Sequence, residues 1–126
     1  MTQDEKDLLL KDLCGRLPYG IVVHIDPHEL NDGYCDIDTV KLYPKDAGKL
    51  YRIIERGVTV KPYLFPMSSM TEEQSKIYHE LVGGMFGTGV LINLDCLIVF
   101  LNRNYLDWRG LIPLGLAIDA TGKNIY

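Results

Sequence analysis

The stretch Tyr-Gly-Ile-Val-Val-His-Ile, residues 19–25, decides the fold class of this chain. Four of its seven side chains are β-branched, and such side chains pack well on the pleated surface of a sheet. Asp26 and Pro27 follow directly, and this dipeptide is typical of a turn. We therefore predict a strand over residues 19–25 that ends in a turn.

Three further segments on the C-terminal side of this strand are predicted to join it in a sheet. Residues 34–43 alternate between two faces, as in a strand near a sheet edge. Residues 50–55 and 57–63 contain β-like runs separated at Gly57, and each run predicts another strand. The expected architecture is a small antiparallel sheet or partial barrel over residues 19–63.

Helices are predicted before and after this sheet. Thr2 and Glu5 form a capping-box pattern ahead of leucines at helical spacing, which predicts a helix from residue 3 to residue 14. Thr71 and Gln74 repeat the capping-box pattern and predict the start of a second helix.

The third predicted helix lies in the most ambiguous part of the chain. The run Leu-Ile-Val-Phe-Leu at residues 97–101 also suits a buried strand. Apolar side chains at steps of three and four residues between Leu94 and Trp108 favour a helix instead. We predict a helix over residues 94–107, with Asn93 as its N-cap.

The whole chain, residues 1–126, is predicted to form a single α+β domain. Its length is about that of one ordinary domain, and two separate cores would both be marginal. With 47% hydrophobic and 24% charged residues, its composition is that of a globular protein. The sheet is expected to be flanked by the N-terminal helix and the two C-terminal helices, with a further short strand at residues 116–118.

Charge is distributed unevenly in the middle of the chain. The net charge of -4 disfavours nucleic acid and anionic membrane surfaces as partners. Residues 26–38 carry five acidic side chains and no Lys or Arg, whereas residues 41–61 carry six basic and two acidic ones. Two interpretations stay open: the segments pair across neighbouring strands, or residues 41–61 form a basic docking patch.

Cysteine usage and hydropathy predict a cytoplasmic protein that does not associate with membranes. The three cysteines show no C-x-x-C spacing, and the first residues show no secretory signal. The longest apolar run, residues 96–101, is too short to span a bilayer. Cys14 and Cys96 fall on predicted apolar helix faces, so both thiols are expected to be buried.

The sequence contains no motif that predicts catalysis, a cofactor or a metal. His24, His28 and Cys35 carry metal-ligand chemistry but lack the paired spacing of a zinc site. The glycine-rich residues 83–89 lack the Lys-Ser/Thr of a phosphate-binding loop. We expect no catalytic, cofactor-binding or metal-binding residue. An enzyme would need a pocket that holds His24 or His79 beside a carboxylate.

Two aromatic segments supply the candidate partner-binding residues. The first lies in residues 62–70, which contain two prolines and are predicted to be an extended connector that leaves the sheet. The second follows the third predicted helix. Aromatic and arginine side chains are typical of binding hot spots, and they also complete the cores of small domains. The candidates are Tyr63, Phe65 and Pro66 in the connector, with Trp108 and Arg109 in the turn.

Two sequence strings carry a resemblance to known proteins. They are Pro-Tyr-Leu-Phe-Pro-Met-Ser-Ser-Met-Thr at residues 62–71 and Asp-Trp-Arg-Gly-Leu-Ile at residues 107–112. With residues 12–20, these strings resemble a family of short uncharacterised proteins from gut anaerobes and their prophages. Phe65 stands where that family is expected to have arginine, and Trp108 where an aromatic residue, often tyrosine, is usual. The resemblance implies an accessory or interaction role linked to mobile elements and no particular activity.

Three functional hypotheses follow. The leading one is a non-enzymatic interaction module that presents the connector or the Trp108–Arg109 turn to a protein partner. The second is a nucleic-acid accessory protein that uses the basic residues 41–61. The third is a small enzyme whose site is assembled from residues distant in sequence.

Overall fold

The computed structural model describes residues 2–26, 39–83 and 90–126, with only the backbone described for residues 90–93. Helices and strands are interleaved along these ranges, and short 3-10 turns join several of them. The elements are α1 (Gln3–Arg16), β1 (Ile21–Ile25), β2 (Thr39–Leu42), α2 (Ala47–Glu55), β3 (Val60–Leu64), α3 (Glu72–Gly83), α4 (Val90–Arg103) and β4 (Ile118–Asp119).

The described strands form one mixed sheet in the order β2-β1-β3-β4. β1 is antiparallel to both of its neighbours, and Val23 lies opposite Val40 of β2 and Pro62 of β3. β4 is parallel to β3, with Ile118 opposite Tyr63. The predicted α+β class is confirmed. The sheet is open, because β2 and β4 lie at its two edges and do not pair with each other.

The two faces of the sheet differ in character. Residues on what we call the inner face, such as Val23 and Leu42, pack into the main hydrophobic core. Residues that alternate with them, such as His24 and Lys41, lie on the outer face and are half-buried or exposed. The alternation predicted for the second strand is therefore confirmed over Thr39–Leu42.

Residues 50–55 belong to helix α2, so the prediction of a strand there is wrong. The β-branched residues suggested a strand, but the apolar side chains are spaced for a helix and are buried against the core. Gly57, with φ of 85°, ends the helix in a Schellman motif. Its N–H donates to the Ile54 carbonyl at 3.0 Å, and the Val58 N–H donates to the Ile53 carbonyl at 3.2 Å. The glycine expected to separate two strands is thus a helix stop signal.

The connector begins later than predicted. Strand β3 runs through Pro62 to Leu64, because the fixed φ of proline is compatible with extended backbone. The next residue, Phe65, is tied to the turn that follows α4. Its N–H donates to the Tyr105 carbonyl at 2.8 Å, and its carbonyl accepts from the Asp107 N–H at 2.8 Å. The chain leaves the sheet only after these bonds.

Both predicted capping boxes are present. The Thr2 hydroxyl accepts from the Glu5 N–H at 3.1 Å, and the Glu5 carboxylate accepts from the Thr2 N–H at 3.0 Å. Thr71 and Gln74 exchange the equivalent bonds at 3.1 and 3.0 Å. Helix α1 continues to Arg16, two residues beyond the predicted end.

Helix α4 settles the ambiguity over residues 94–107 in favour of a helix. It begins at Val90, so Asn93 lies inside the helix and its prediction as the N-cap is wrong. The helix ends at Arg103, four residues earlier than predicted. Just beyond this end, Tyr105 adopts a left-handed φ of 57°, which an α-helix does not contain.

Two hydrophobic clusters stabilise the fold. The larger one joins the inner face of the sheet to α1, α2 and the segment after Gly110. The smaller one, around Leu97 and Phe100, joins α4 to α3 and the connector. Cys14 and Cys96 contribute to neither cluster, because both are exposed, so the prediction that they are buried is wrong.

Several predictions concern residues outside the described ranges. They include the roles of His28 and Cys35, the pairing of the acidic residues 26–38 with the basic segment, and most of the glycine-rich residues 83–89. Among the helices that the structure describes, none is long and apolar enough to cross a membrane.

Candidate functional site

Trp108 and Arg109 make their polar contacts within the fold. Nη1 of Arg109 lies 2.8 Å from Oδ1 of Asp12, and its guanidinium carbon lies 4.0 Å from the centre of the Trp108 ring. Nε1 of Trp108 donates to Oδ1 of Asn102 at 3.1 Å. Arg109 therefore attaches the turn after α4 to α1, and Trp108 attaches it to α4 itself. The use of either residue by a partner stays a prediction.

The partner of Arg109 belongs to a buried ion pair that sequence reasoning missed. Asp12 and Arg16 are both fully buried, and the Arg16 guanidinium donates to both carboxylate oxygens of Asp12 at 2.9 and 3.0 Å. A further bond goes to the carbonyl of Leu106 at 2.7 Å. The i,i+4 spacing of Asp12 and Arg16 was a readable signal, but their burial depends on what packs over α1.

The three connector candidates also contact other parts of the chain. Tyr63 lies on the outer face of the sheet, and its carbonyl accepts from the Tyr126 hydroxyl at 2.9 Å. The centre of the Phe65 ring lies 6.2 Å from that of Tyr126. The Pro66 carbonyl accepts from the Ser69 hydroxyl at 2.7 Å. Phe65 and Trp108 pack against the same smaller hydrophobic cluster, but none of the described cavities is lined by candidates from both segments.

One cavity of about 250 Å³ lies beside the connector, lined in part by Phe65, Gln74 and Asn104. Its polar groups already have partners: Nε2 of Gln74 donates to Oδ1 of Asn104 at 3.3 Å, and Nδ2 of Asn104 donates to the Phe100 carbonyl at 2.8 Å. The Gln74 side-chain oxygen is used in the α3 capping box. This cavity therefore offers few unpaired groups to a ligand.

A second cavity, of about 260 Å³, lies between β2 and α2, and we call it the lysine groove. Apolar side chains from the inner face of the sheet and from α2 line part of it, and lysines line the rest. The lining residues are Ile25, Val40, Lys41, Leu42, Tyr43, Lys45, Asp46, Lys49, Leu50 and Ile53.

The lysine groove is positively charged. Lys41, Lys45 and Lys49 are all exposed, and no described residue forms an ion pair with any of them. Oδ2 of Asp46 accepts from the Tyr43 N–H at 2.9 Å. The described lining residues include three lysines and one carboxylate, a net charge of +2. An anionic group of a partner would meet exposed ammonium groups here.

The structure divides the basic segment 41–61 among different surfaces. Lys41, Lys45 and Lys49 line the groove, and Lys61 does not. Lys41 and Lys61 both lie on the outer face of the sheet, on the two strands that flank β1. The sequence signal for the groove was the four-residue spacing of Lys45 and Lys49, which was obscured because residues 50–55 were predicted to be a strand.

Gly20 shapes one end of the groove. It has φ of 75°, and a Cβ atom built on it would lie 2.6 Å from Cε of Lys41 and 3.0 Å from Cε1 of Tyr43. Nζ of Lys41 in turn lies 5.7 Å from the centre of the Tyr43 ring. Glycine at position 20 therefore lets two groove residues pack against the backbone.

Gly20→Ala is expected to destabilise the fold by about 2 kcal/mol. Most of this cost comes from a backbone with φ of 75° and ψ of 120°, which residues with a Cβ atom rarely adopt, and a smaller part from displacing the exposed ends of Lys41 and Tyr43. Gly57→Ala is the comparison, because Gly57 has φ of 85° with no atom within 4 Å of the added Cβ. Urea unfolding of both variants measures the difference. A smaller cost for Gly20→Ala than for Gly57→Ala would contradict this account of Gly20.

The two described histidines, His24 and His79, line neither of these cavities. His24 is half-buried on the outer face of the sheet. His79 is exposed on α3, and its ring centre lies 5.6 Å from that of Tyr78. Within the described ranges, no three His, Cys, Asp or Glu side chains are grouped closely enough to hold a metal ion.

Comparison of the chain with family models, with curated proteins and with solved structures found no match in any of the three.

Proposed function

We propose that this protein is a non-enzymatic interaction module that binds an acidic segment of a protein partner in the lysine groove. The observation that carries the proposal is that one cavity combines an apolar floor with three exposed lysines, none of which forms an ion pair with a described residue. Ammonium groups at the rim select carboxylates and speed encounter, while apolar side chains supply the burial on which affinity depends.

The size of the groove supports a macromolecular partner. Pockets for drug-sized ligands typically measure roughly 300–1,000 Å³ and enclose most of the ligand. The groove, at about 260 Å³, is smaller and can receive a few side chains of a longer molecule. The described residues that line it include no histidine and no cysteine, so the part of the groove that the structure describes is apolar and cationic.

A protein partner fits the groove better than nucleic acid. Nucleic acid is bound through its phosphates, and affinity comes from many cationic contacts along the backbone. The net charge of -4 opposes such binding, and the apolar floor has no role in it. The basic segment 41–61 therefore supports the nucleic-acid hypothesis less well than it supports an acidic peptide.

The remaining parts of the proposal rest on the sequence. A cytoplasmic location is supported by the odd number of cysteines and by the lack of C-x-x-C spacing among them. An accessory role linked to mobile elements is supported by the resemblance of residues 62–71 and 107–112 to the family named above. The Trp108–Arg109 turn stays a second candidate surface for the same kind of partner.

Charge reversal in the groove tests the proposal. Peptides selected from a displayed random library against the wild-type protein are expected to be rich in Asp and Glu. The variant Lys45→Glu/Lys49→Glu should bind them about tenfold or more weakly, because two attractive contacts become repulsive. Lys11→Glu/Lys76→Glu is the matched control, since it makes the same charge change at exposed positions on α1 and α3.

The affinities are measured by fluorescence polarisation at low and high salt, and surface charge pairs predict weaker binding at high salt. Equal losses in both double variants would show that only net charge matters and would overturn the groove assignment. A single-stranded oligonucleotide is tested in parallel. If it binds tightly and the selected peptides do not, the nucleic-acid hypothesis replaces this one.

A further inference from the structure

Among the strands that the structure describes, β2 forms the edge of the sheet beside the lysine groove. β2 pairs with β1 on one side and with none of the described strands on the other. Its inner-face residues Val40 and Leu42 line the groove, and so does Lys41, which lies between them in sequence. The groove therefore runs along the length of β2, because three consecutive residues of the strand line it.

Helix α2 forms the opposite wall of the groove. Leu50 and Ile53 line the apolar part, and Lys45 and Lys49, four residues apart, stand along the rim. A groove between an edge strand and a helix suits an extended peptide, because main-chain bonds to the strand supply affinity and alternate side chains enter the groove.

The arrangement of charges specifies what such a peptide should contain. Successive side chains of a strand point to opposite faces, so a strand added to β2 directs every second side chain towards the apolar floor. The other side chains of the added strand point to the outer face, where Lys41 of β2 lies within reach of their carboxylates. Lys45 and Lys49, on the α2 side, add to the positive charge around the peptide. Apolar residues that alternate with acidic ones match both requirements.

We propose that the partner segment binds as an added β-strand along β2, with apolar and acidic residues in alternation. This inference rests on the proposed function and specifies the mode of binding. A second copy of this chain is a poor occupant, because pairing β2 with β2 brings Lys41 of each copy close to the other, and like charges on neighbouring strands repel.

The test uses a synthetic peptide of roughly eight residues in which Glu alternates with Val, blocked at both ends. Two further versions carry N-methyl groups on every second residue: one version is methylated at the odd-numbered residues and the other at the even-numbered ones. We call these two sets of residues the two phases. The backbone N–H groups of only one phase can face β2, so methylation of that phase removes their main-chain hydrogen bonds to β2. It is expected to weaken binding about tenfold or more, while the other phase changes affinity little.

Hydrogen exchange of the protein gives an independent measurement. Saturation with the unmodified peptide is expected to slow exchange at one or more amides of Val40, Lys41 and Leu42, and to leave the α3 amides unchanged. Sedimentation of the free protein checks self-association. A concentration-dependent dimer with the same amides protected in the absence of peptide would overturn the proposal in favour of a second copy.

The outcomes separate the two proposals. If peptides bind in a lysine-dependent way and both methylated versions bind equally well, strand addition is overturned while the interaction module stands. If neither the alternating peptide nor any library peptide binds, both proposals fail. If methylation of one phase alone weakens peptide binding, and Lys45→Glu/Lys49→Glu abolishes it, both the interaction module and strand addition are supported.

Discussion

Asp12→Leu is expected to destabilise the protein by about 3–5 kcal/mol, because it leaves the guanidinium of Arg16 buried without its counter-ion. Arg16 is fully buried, and after the substitution only backbone carbonyls such as that of Leu106 would face it. A small domain is stable by only about 5–15 kcal/mol, so the loss should be obvious in urea unfolding. The turn after α4 is also affected, because Arg109 loses its partner.

The double variant Asp12→Leu/Arg16→Met is the informative control. Removing both charges leaves an apolar pair of similar volume, and buried ion pairs replaced in this way are often neutral or even stabilising. We expect the double variant to be more stable than Asp12→Leu alone. If the double variant is less stable than the single one, the pair contributes more than charge compensation, and this account of the junction is wrong.

Tyr126→Phe is the second substitution with a large expected effect, a loss of about 2–3 kcal/mol. The Tyr126 hydroxyl accepts from the Val22 N–H at 3.0 Å and donates towards the carbonyls of Val22, at 3.4 Å, and Tyr63, at 2.9 Å. It thus satisfies backbone groups of β1 and β3 just beyond their paired residues. Tyr51→Phe is the control, because Tyr51 is 55% exposed and should change stability by less than about 0.5 kcal/mol.

The same hydroxyl predicts a loss of stability in alkali. Burial raises the pKa of Tyr126 well above its ordinary value near 10. The unfolded chain therefore ionises at a lower pH than the folded one. The contribution of the un-ionised Tyr126 hydroxyl to the free energy of unfolding is complete below about pH 10. It is lost as the pH rises through the pKa of Tyr126 in the folded protein. Urea unfolding between about pH 9 and pH 11 should show a steeper loss for the wild type than for Tyr126→Phe.

Some alkaline loss should remain in Tyr126→Phe. Burial, with a smaller contribution from Tyr43, also raises the pKa of Tyr105, whose ring stacks on Tyr126 with 3.6 Å between centres. The double variant Tyr105→Phe/Tyr126→Phe should remove more of the pH dependence than either single change. If stability falls with pH as steeply in Tyr126→Phe as in the wild type, the Tyr126 hydroxyl of the wild type is hydrated rather than buried between the strands.

Short-range sequence patterns predicted correctly those helix starts and strands that depend on residues close together along the chain. The capping boxes at Thr2 and Thr71 place helix starts correctly, because the bonds join residues three apart. The β-branched run at Ile21–Ile25 forms the strand that pairs on both sides. For α2 the local signals conflicted, since β-branched composition favoured a strand while apolar spacing and Gly57 favoured a helix.

The candidate site was predicted only in part. The basic segment 41–61 contains all three groove lysines, so the charge was visible. The groove itself needs α2 beside β2, and that contact was lost once α2 was predicted to be a strand. The candidate partner-binding residues were chosen by residue type, and two of them, Trp108 and Arg109, are bonded to Asn102 and Asp12 within the fold.

The sequence by itself determined the α+β class, the capping boxes at Thr2 and Thr71, and the uneven distribution of charge, because each depends on residues close together along the chain. Tertiary structure alone decided that β4 completes the sheet from far along the chain, that Asp12 and Arg16 are buried, and that three lysines share a groove with an apolar floor. The physical reason is that burial and pairing depend on which distant segments pack together, and the free energy of that packing belongs to no single segment.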